Sequence, residues 1–216
     1  MFEGFPKELP DFLWGLALHN EKPWFEAHRA QYERCLHEPF KAFATEAQAA
    51  FEARWPDRAP ALHVSRINRD ARRLCGLGPY KDHMWFSLGE TAELYAEAPK
   101  FWFEIGPKSY GCGMGYFMAG PDVMERWRAA ADANPARLER LVKAFDRQTL
   151  FKRYGECYKR PKGDPGPLLY DWYNAKDIGF EREVLFDPDP PGPELVDELM
   201  GALAVLMPLY EYMRKL

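Results

Sequence analysis

The chain has few cysteines for its length, and none lie close together in sequence. Its four cysteines, Cys35, Cys75, Cys112 and Cys157, are spaced about forty residues apart and include no C-x-x-C pair. This spacing excludes the usual zinc-ribbon and thioredoxin motifs. The even count leaves pairing open, but a secreted domain of this size is normally richer in disulfides. We therefore expect reduced thiols and a cytoplasmic protein.

Long apolar runs are also missing. The N-terminal apolar stretch, 12–18, follows acidic residues and two prolines, where a signal peptide would carry Lys or Arg. No run approaches the roughly 18 residues that a membrane span requires. We expect a soluble protein with no membrane partner.

Common catalytic and cofactor motifs are lacking as well. None of the five histidines forms an i, i+4 pair with another, so the sequence predicts no helical metal site. The glycines of 111–115 do not fit the dinucleotide fingerprint, and the chain has neither a P-loop nor a G-x-S-x-G elbow. The motifs therefore identify no cofactor and no reaction.

Charge is unevenly distributed along a chain whose net charge is −4. Residues 147–162 carry six basic side chains and one acidic one, whereas 181–198 carry seven acidic side chains and one basic one. The acidic segment would neutralise the basic one, or the basic segment would form a functional face. The mild overall acidity argues against broad, non-specific binding of nucleic acid.

The 216 residues are enough for a single domain with a sizeable core. Apolar residues recur at helical spacing in 8–55, the segment 62–118 is rich in strands, and helices with loops return in 121–216. We predict one α+β domain, in which a mainly antiparallel sheet from the middle of the chain is covered by N- and C-terminal helices.

Turn and cap residues give more detailed expectations. Pro39 should kink or split the long helical pattern of 24–51, and Asn134 is a candidate cap for a helix beginning at Pro135. Strands are expected at 62–68, 84–88, 100–105 and 110–118, with a hairpin turn at 106–109 and one more short strand within 172–185. In 110–118 three glycines share one face, which favours close approach of a helix over that of a ligand.

The most informative segment runs from His63 to His83. It places Arg66, Arg69, Arg72 and Arg73 within eight residues around one carboxylate, Asp70. Four guanidinium groups so close together repel one another, so the folded chain must hold them with counter-charges or present them to an anion.

The anion-binding interpretation gives a candidate site at a strand end and its following loop. Arginine donates paired hydrogen bonds to carboxylate or phosphate oxygens, and Asp70 would orient one of the arginines. The candidate ligand-binding residues are Arg66, Arg69, Asp70, Arg72, Tyr80, Lys81 and His83.

Strand geometry limits this interpretation. On a regular strand Arg66 and Arg69 point to opposite faces, so they converge only if the strand ends or bulges near Asn68. The alternative is a structural ion-pair network of Arg69, Asp70 and acidic residues elsewhere, with Arg73 and Lys41 on solvated faces.

The chain also resembles a bacterial and fungal family of conserved hypothetical proteins, "domain of unknown function 2461". The resemblance covers nearly the whole chain. Its strongest part is R-x-x-R-D-x-R followed by P-Y-K-x-H, here Arg66 to Arg72 and Pro79 to His83. Asn20, Trp24, Phe25 and Tyr32 match its N-terminal region. The glycine-rich strand 111–116 and the helix start at Asn134-Pro135 are similar too.

The resemblance implies a shared site without naming its activity. Two departures, Arg73 in place of an aromatic residue and 75–78 in place of lysines before Pro79, suggest altered ligand preference. We predict binding of a small phosphate- or carboxylate-bearing ligand, by an enzyme or a binder, with Tyr80 or His83 as proton donors. The alternative is a non-enzymatic module that binds single-stranded nucleic acid or a protein through aromatic side chains and 147–162. Cofactor and oligomeric state are left open.

Overall fold

The computed structural model describes residues 1–70, 72, 77–90, 98–117 and 119–216. Six strands form one antiparallel sheet in the order β1-β2-β3-β4-β6-β5. The strands are β1 (Ala61–Val64), β2 (Met84–Gly89), β3 (Lys100–Ile105), β4 (Ser109–Gly115), β5 (Lys152–Tyr154) and β6 (Gly179–Leu185). Helices lie before and after these strands in the chain, so the α+β prediction is confirmed.

The helices fall into an N-terminal group and a later group along the chain. The N-terminal helices are α1 (Leu9–Leu18), α2 (Lys22–Ala27), α3 (Arg29–Tyr32) and α4 (Glu38–Arg54). The later helices are α5 (Pro121–Ala133), α6 (Pro135–Phe145), α7 (Tyr170–Tyr173) and α8 (Leu195–Met213). None of the helices in the described ranges is both long and apolar enough to cross a bilayer.

By its internal contacts the chain divides into two compact units. Unit 1 comprises Met1–Leu88, Trp102–Cys112 and Glu183–Met200. Unit 2 comprises Gly89–Phe101, Gly113–Arg182 and Gly201–Leu216. All of the predicted ligand-binding residues belong to unit 1.

The core of unit 1 is a layer of phenylalanine rings. Phe40 and Phe43 project from one side of α4, and Phe86 of β2 and Phe103 of β3 meet them. The Phe43 ring centroid lies 4.7 Å from that of Phe103 and 5.7 Å from that of Phe86. Because alternate strand residues point to opposite faces, Trp85 of β2 and Trp102 of β3 lie on the other face of the sheet, where both are half-buried.

The core of unit 2 is also aromatic. Trp127 of α5 stacks on Trp172 of α7, and its indole N–H donates to the Trp172 carbonyl at 2.9 Å. Phe145 of α6 packs on Phe180 of β6, with ring centroids 4.8 Å apart. These large rings are buried together with aliphatic side chains such as Leu138 and Val142 of α6.

The N-terminal helical pattern is irregular in the turn before Pro39. A π-helical turn, Glu33–His37, directly precedes α4, whose first turn contains Pro39. Proline donates no backbone hydrogen bond and its ring crowds the preceding turn, which favours a wider turn at this point. The predicted cap is confirmed, because the Asn134 side chain accepts from the Arg137 N–H at 3.1 Å.

Several predicted boundaries differ from those observed. The strand expected at 62–68 ends as a regular strand at Val64, and Asn68 forms only an isolated bridge with Tyr80. The hairpin at 106–109 is confirmed by the bond from the Gly106 N–H to the Ser109 carbonyl at 2.9 Å. The strand expected to run to Met118 ends at Gly115, and Met118 lies outside the described residues.

Strand β5 was not predicted, because its three residues carry no apolar alternation. It pairs antiparallel with β6, placing Lys152 opposite Glu181 and Tyr154 opposite Gly179. A Cβ atom at Gly179 would meet the Tyr154 ring, and one at Gly115 would lie 2.8 Å from the Gly179 Cα. At Gly115 the glycine face of β4 is therefore approached by strand backbone and a tyrosine, not by the expected helix.

The phenylalanine layer predicts a large effect of truncating Phe43. Replacing it with alanine should lower the free energy of unfolding by about 3–5 kcal/mol, because the lost burial leaves a cavity among rigid rings. Leu18→Ala, at a position 76% exposed, is the control and should change it by less than about 0.5 kcal/mol. Urea denaturation followed by circular dichroism measures both, and equal effects would contradict this assignment of the core.

Candidate functional site

The predicted site is built on two chain segments that run side by side. The Lys81 N–H donates to the Ile67 carbonyl, and the Arg69 N–H donates to the Pro79 carbonyl, both at 2.8 Å. Together with the Asn68–Tyr80 bridge, these bonds continue the pairing of β1 with β2 beyond the regular strands. The two halves of the R-x-x-R-D-x-R and P-Y-K-x-H pattern are therefore neighbours in space.

Asn20, which follows α1, holds this segment to the N-terminal helices. Its amide oxygen accepts from the Tyr80 N–H and its amide nitrogen donates to the Tyr80 carbonyl, both at 2.9 Å. A Cβ atom at Gly78 would lie 2.3 Å from the Asn20 amide oxygen, so only glycine fits there.

The Tyr80 side chain is part of the hydrophobic core beside the site. Its ring is buried and stacks on Phe25 of α2, with centroids 4.1 Å apart. Burial raises the pKa of its phenol, and the nearby Glu26 carboxylate adds to that increase. Its described contacts include ring stacking on Phe25 and backbone hydrogen bonds to Asn20, and none of them supports the expected role as a proton donor.

Arg69 is compensated within unit 1. Its Nε donates to the Tyr80 carbonyl at 2.8 Å, and its Nη2 lies 3.8 Å from the Asp82 carboxylate. Its acidic partner is thus Asp82 and not the predicted Asp70. Burial opposes ionisation of Asp82, but a hydrogen bond from His83 and the Arg69 charge outweigh it and hold the Asp82 pKa below its ordinary value.

His83 lies close to Asp82, and Lys81 lies close to Arg69. Together with Glu104, these residues form what we call the mixed-charge group. The His83 Nδ1 lies 3.0 Å from Asp82, and its Nε2 lies 3.8 Å from the Glu104 carboxylate of β3. The Lys81 ammonium stands 5.7 Å from the Trp85 ring centroid. Burial and the Arg69 charge lower the Lys81 pKa, whereas Glu104 opposes that shift. Two carboxylates therefore balance the cations here.

Asp70 and Arg72 form a separate local pair. The Arg72 guanidinium donates to both carboxylate oxygens of Asp70, at 3.0 and 2.7 Å, and its backbone N–H donates to one of them. The Arg72 side chain is 87% exposed. The arginine that Asp70 contacts therefore points into solvent. Arg73, Cys75 and Gly76 lie outside the described residues.

Arg66 lies in a different environment. It is exposed and lines a cleft of about 390 Å³ between the helical segment 32–45 and the strand segment 64–68. Within the ranges that the structure describes, no carboxylate lies within ion-pairing distance of Arg66. The cleft is lined by Tyr32, His37, Lys41, Thr45, Val64, Ser65, Arg66, Ile67, Asn68 and Met84.

The cleft combines cations with hydroxyl groups. Lys41 is half-exposed and stands 3.8 Å from Glu38, so it is only loosely paired. Burial raises the pKa of Tyr32, with Glu33 contributing, and the phenol therefore remains a hydrogen-bond donor at neutral pH. Such a lining is complementary to an oxyanion.

A comparison with known families matches nearly the whole chain. The family described as "Conserved hypothetical protein (DUF2461)" matches residues 8–212, which include both segments of the site. The chain belongs to this family. A comparison with curated proteins found no match.

The structure separates the predicted residues of this DUF2461 member into groups. Arg69 and His83 come together around Asp82, and Lys81 lies near Arg69 and Glu104, whereas Asp70 and Arg72 pair with each other. Arg66 contacts neither group and lines the cleft instead. Arg66 and Arg69 therefore have different surroundings: Arg69 bonds the Tyr80 carbonyl near Asp82, and Arg66 lines the cleft.

The helical wall of the cleft was not predicted from the sequence. Lys41 was expected on a solvated face, and only pairs of histidines were considered as ligands of a helical metal site. In the described part of the chain, Glu33, His37 and Glu38 have potential ligand atoms within 4.8 Å of one another. A search for Glu and His at i, i+4 on one helix would have found the first two of these residues.

Asn20 should be essential for stability. Replacing it with alanine leaves both backbone groups of Tyr80 without their partner and should lower the free energy of unfolding by roughly 1–3 kcal/mol. Asn20→Asp keeps an acceptor for the Tyr80 N–H but sets a carboxylate oxygen against the Tyr80 carbonyl, so it should also be less stable than wild type. Urea denaturation measures both variants, and wild-type stability of either one would contradict this account.

The lowered pKa of Asp82 predicts a pH dependence of stability. A carboxyl whose pKa is lower in the folded than in the unfolded chain stabilises above about pH 4, and this is lost as the pH falls through the folded value. Asp82→Asn should therefore be less stable than wild type at pH 7, and the difference should shrink on acidification. Asp57→Asn, at an exposed turn, is the control. A difference that does not vary with pH would exclude the Asp82 interaction as its source.

Proposed function

We propose that this protein binds a small ligand bearing a phosphate or carboxylate group, and that the anion is held by Arg66 in the cleft. The observation that carries the proposal is the guanidinium of Arg66, which has no ion-pair partner among the described residues and lines a concave surface. Guanidinium groups match the paired oxygens of such anions.

Charge compensation supports Arg66 over the other arginines. Arg69 is held by the Tyr80 carbonyl and Asp82, and Arg72 is held by both oxygens of Asp70. An anion at either position would have to displace a carboxylate. At Arg66 it would only displace water.

The size and lining of the cleft fit a small molecule. Its volume of about 390 Å³ falls at the lower end of the range for small-molecule sites, roughly 300–1,000 Å³. Lys41 adds a second cation, and Thr45 and Asn68 add hydrogen-bonding groups. Val64 and Met84 supply apolar surface for the rest of a ligand.

The aromatic side chains of the basic segment favour this proposal over nucleic-acid binding. The Lys162 ammonium stands 4.7 Å from the Tyr158 ring centroid, and the Arg128 guanidinium stands 5.9 Å from it. Arg153 lies over Trp172 in the same way. Rings already contacted by the chain's own cations present less free surface for base stacking.

We also propose that the protein is cytoplasmic and that its cysteines are reduced, a setting that suits a small anionic ligand.

The test is a thermal-shift panel with inorganic phosphate, adenosine monophosphate, glucose 6-phosphate and succinate. At about 100 times Kd a ligand adds about 2.7 kcal/mol, which should raise Tm by about 5–10 °C for a chain of this size. Arg66→Ala should weaken binding at least about tenfold, since a hydrogen bond to a charged group contributes about 1.5–3 kcal/mol.

Two controls make the test specific. Arg140→Ala removes the same charge from an exposed position on α6 and should leave the shift unchanged. Arg69→Ala tests whether the mixed-charge group takes part, and it should lower stability without abolishing the ligand-induced shift. The proposal is overturned if no anion raises the Tm of the wild type selectively, or if Arg66→Ala keeps the full shift.

A further inference from the structure

The π-helical turn at Glu33–His37 brings Glu38 close to Glu33 and His37, which already share one helix face as an i, i+4 pair. In an α-helix, residue i+5 lies about 140° around the axis from residue i. Here the Glu38 N–H donates to the Glu33 carbonyl, which is an i+5 to i bond. This wider turn brings Glu38 back over Glu33, next to His37 at i+4.

The ligand atoms of these residues are already close together. The His37 Nδ1 lies 2.6 Å from a carboxylate oxygen of Glu33 and 3.3 Å from one of Glu38. A divalent ion that binds N and O ligands at about 2.1 Å holds them roughly 3–3.5 Å apart. Small movements of the side chains are therefore enough for an ion to fit between the three ligand atoms.

The surroundings point to a ligand independently of this cluster. His37 and Lys41 line the same cleft as Arg66, whose guanidinium has no ion-pair partner within the described ranges. The His37 ring is stacked on Tyr32, with centroids 5.3 Å apart, which fixes its orientation at the wall of the cleft. A cation site and an anion-binding cleft therefore share one residue.

We propose that Glu33, His37 and Glu38 bind a divalent first-row metal ion such as Mn²⁺ or Zn²⁺, and that this ion helps to bind a phosphate-bearing ligand in the cleft. The second part rests on the proposed function. Two carboxylates and one imidazole suit these ions and leave coordination positions open for water or a ligand oxygen. Arg66 and Lys41 would balance the remaining charge of the phosphate.

Electron paramagnetic resonance of Mn²⁺ tests the metal site directly on the full-length chain. Free Mn²⁺ is counted from its sharp signal during titration of chelator-treated protein. We expect one ion per chain, with affinity weakened more than about tenfold in both Glu33→Gln and His37→Gln. Glu52→Gln, an exposed position on the same helical segment, is the matched control and should bind like wild type.

Circular dichroism and urea denaturation of each variant separate loss of the site from loss of the fold. Zn²⁺ titration by calorimetry provides a second readout if Mn²⁺ is too weakly held. The metal site is overturned if the wild type binds neither ion, or if folded Glu33→Gln and His37→Gln bind as tightly as the wild type.

Inorganic phosphate distinguishes failure of this inference from failure of the proposed function. Tighter Mn²⁺ binding in the presence of phosphate, in wild type but not in Arg66→Ala, supports both. Mn²⁺ binding that depends on Glu33 and His37 but ignores phosphate supports the metal site and overturns its link to the ligand. Phosphate binding through Arg66 with unaltered Mn²⁺ affinity in both variants overturns the metal site alone.

Discussion

The pairing of one asparagine with one backbone position holds the site together. Asn20 satisfies both the N–H and the carbonyl of Tyr80, while Asn68 bridges Tyr80 from the other side. The chain that follows α1 and the two strand segments are therefore tied at a single residue. Asn68 also lines the cleft, so the strand wall of the cleft is continuous with this junction. The requirement for glycine at 78 follows from the same contact.

Compensation of charge separates arginines that are similar in sequence. Each guanidinium in this region must find a counter-charge, a carbonyl or solvent, because like charges repel. Arg69 uses Asp82 and a carbonyl, and Arg72 uses Asp70. Arg66 has no such partner in the described part of the chain and lies beside Lys41 in the cleft. The structural interpretation therefore fits Arg69, and the ligand-binding interpretation fits Arg66.

Most secondary structure followed from local patterns, and the exceptions have local reasons. The limits of β3 were predicted correctly, since its apolar and aromatic residues are bounded by clear turn signals. Strand β5 was missed because three polar residues become a strand only through pairing with β6. Strand β1 ends four residues before Asn68, because 65–69 are paired by isolated bonds and not by a regular ladder. Local periodicity does not encode such long-range pairing.

By itself the sequence determined the fold class, the cap at Asn134 before Pro135, the limits of β3 and the segment that carries the clustered arginines. These depend on hydrophobic period, proline geometry and a dense group of charges, all of which act over a few residues. Only the tertiary structure decided that Asp82 compensates Arg69, that Tyr80 faces the core, and that His37 and Lys41 join Arg66 in a cleft. Those contacts join segments that are distant in the sequence, so patterns among neighbouring residues do not predict them.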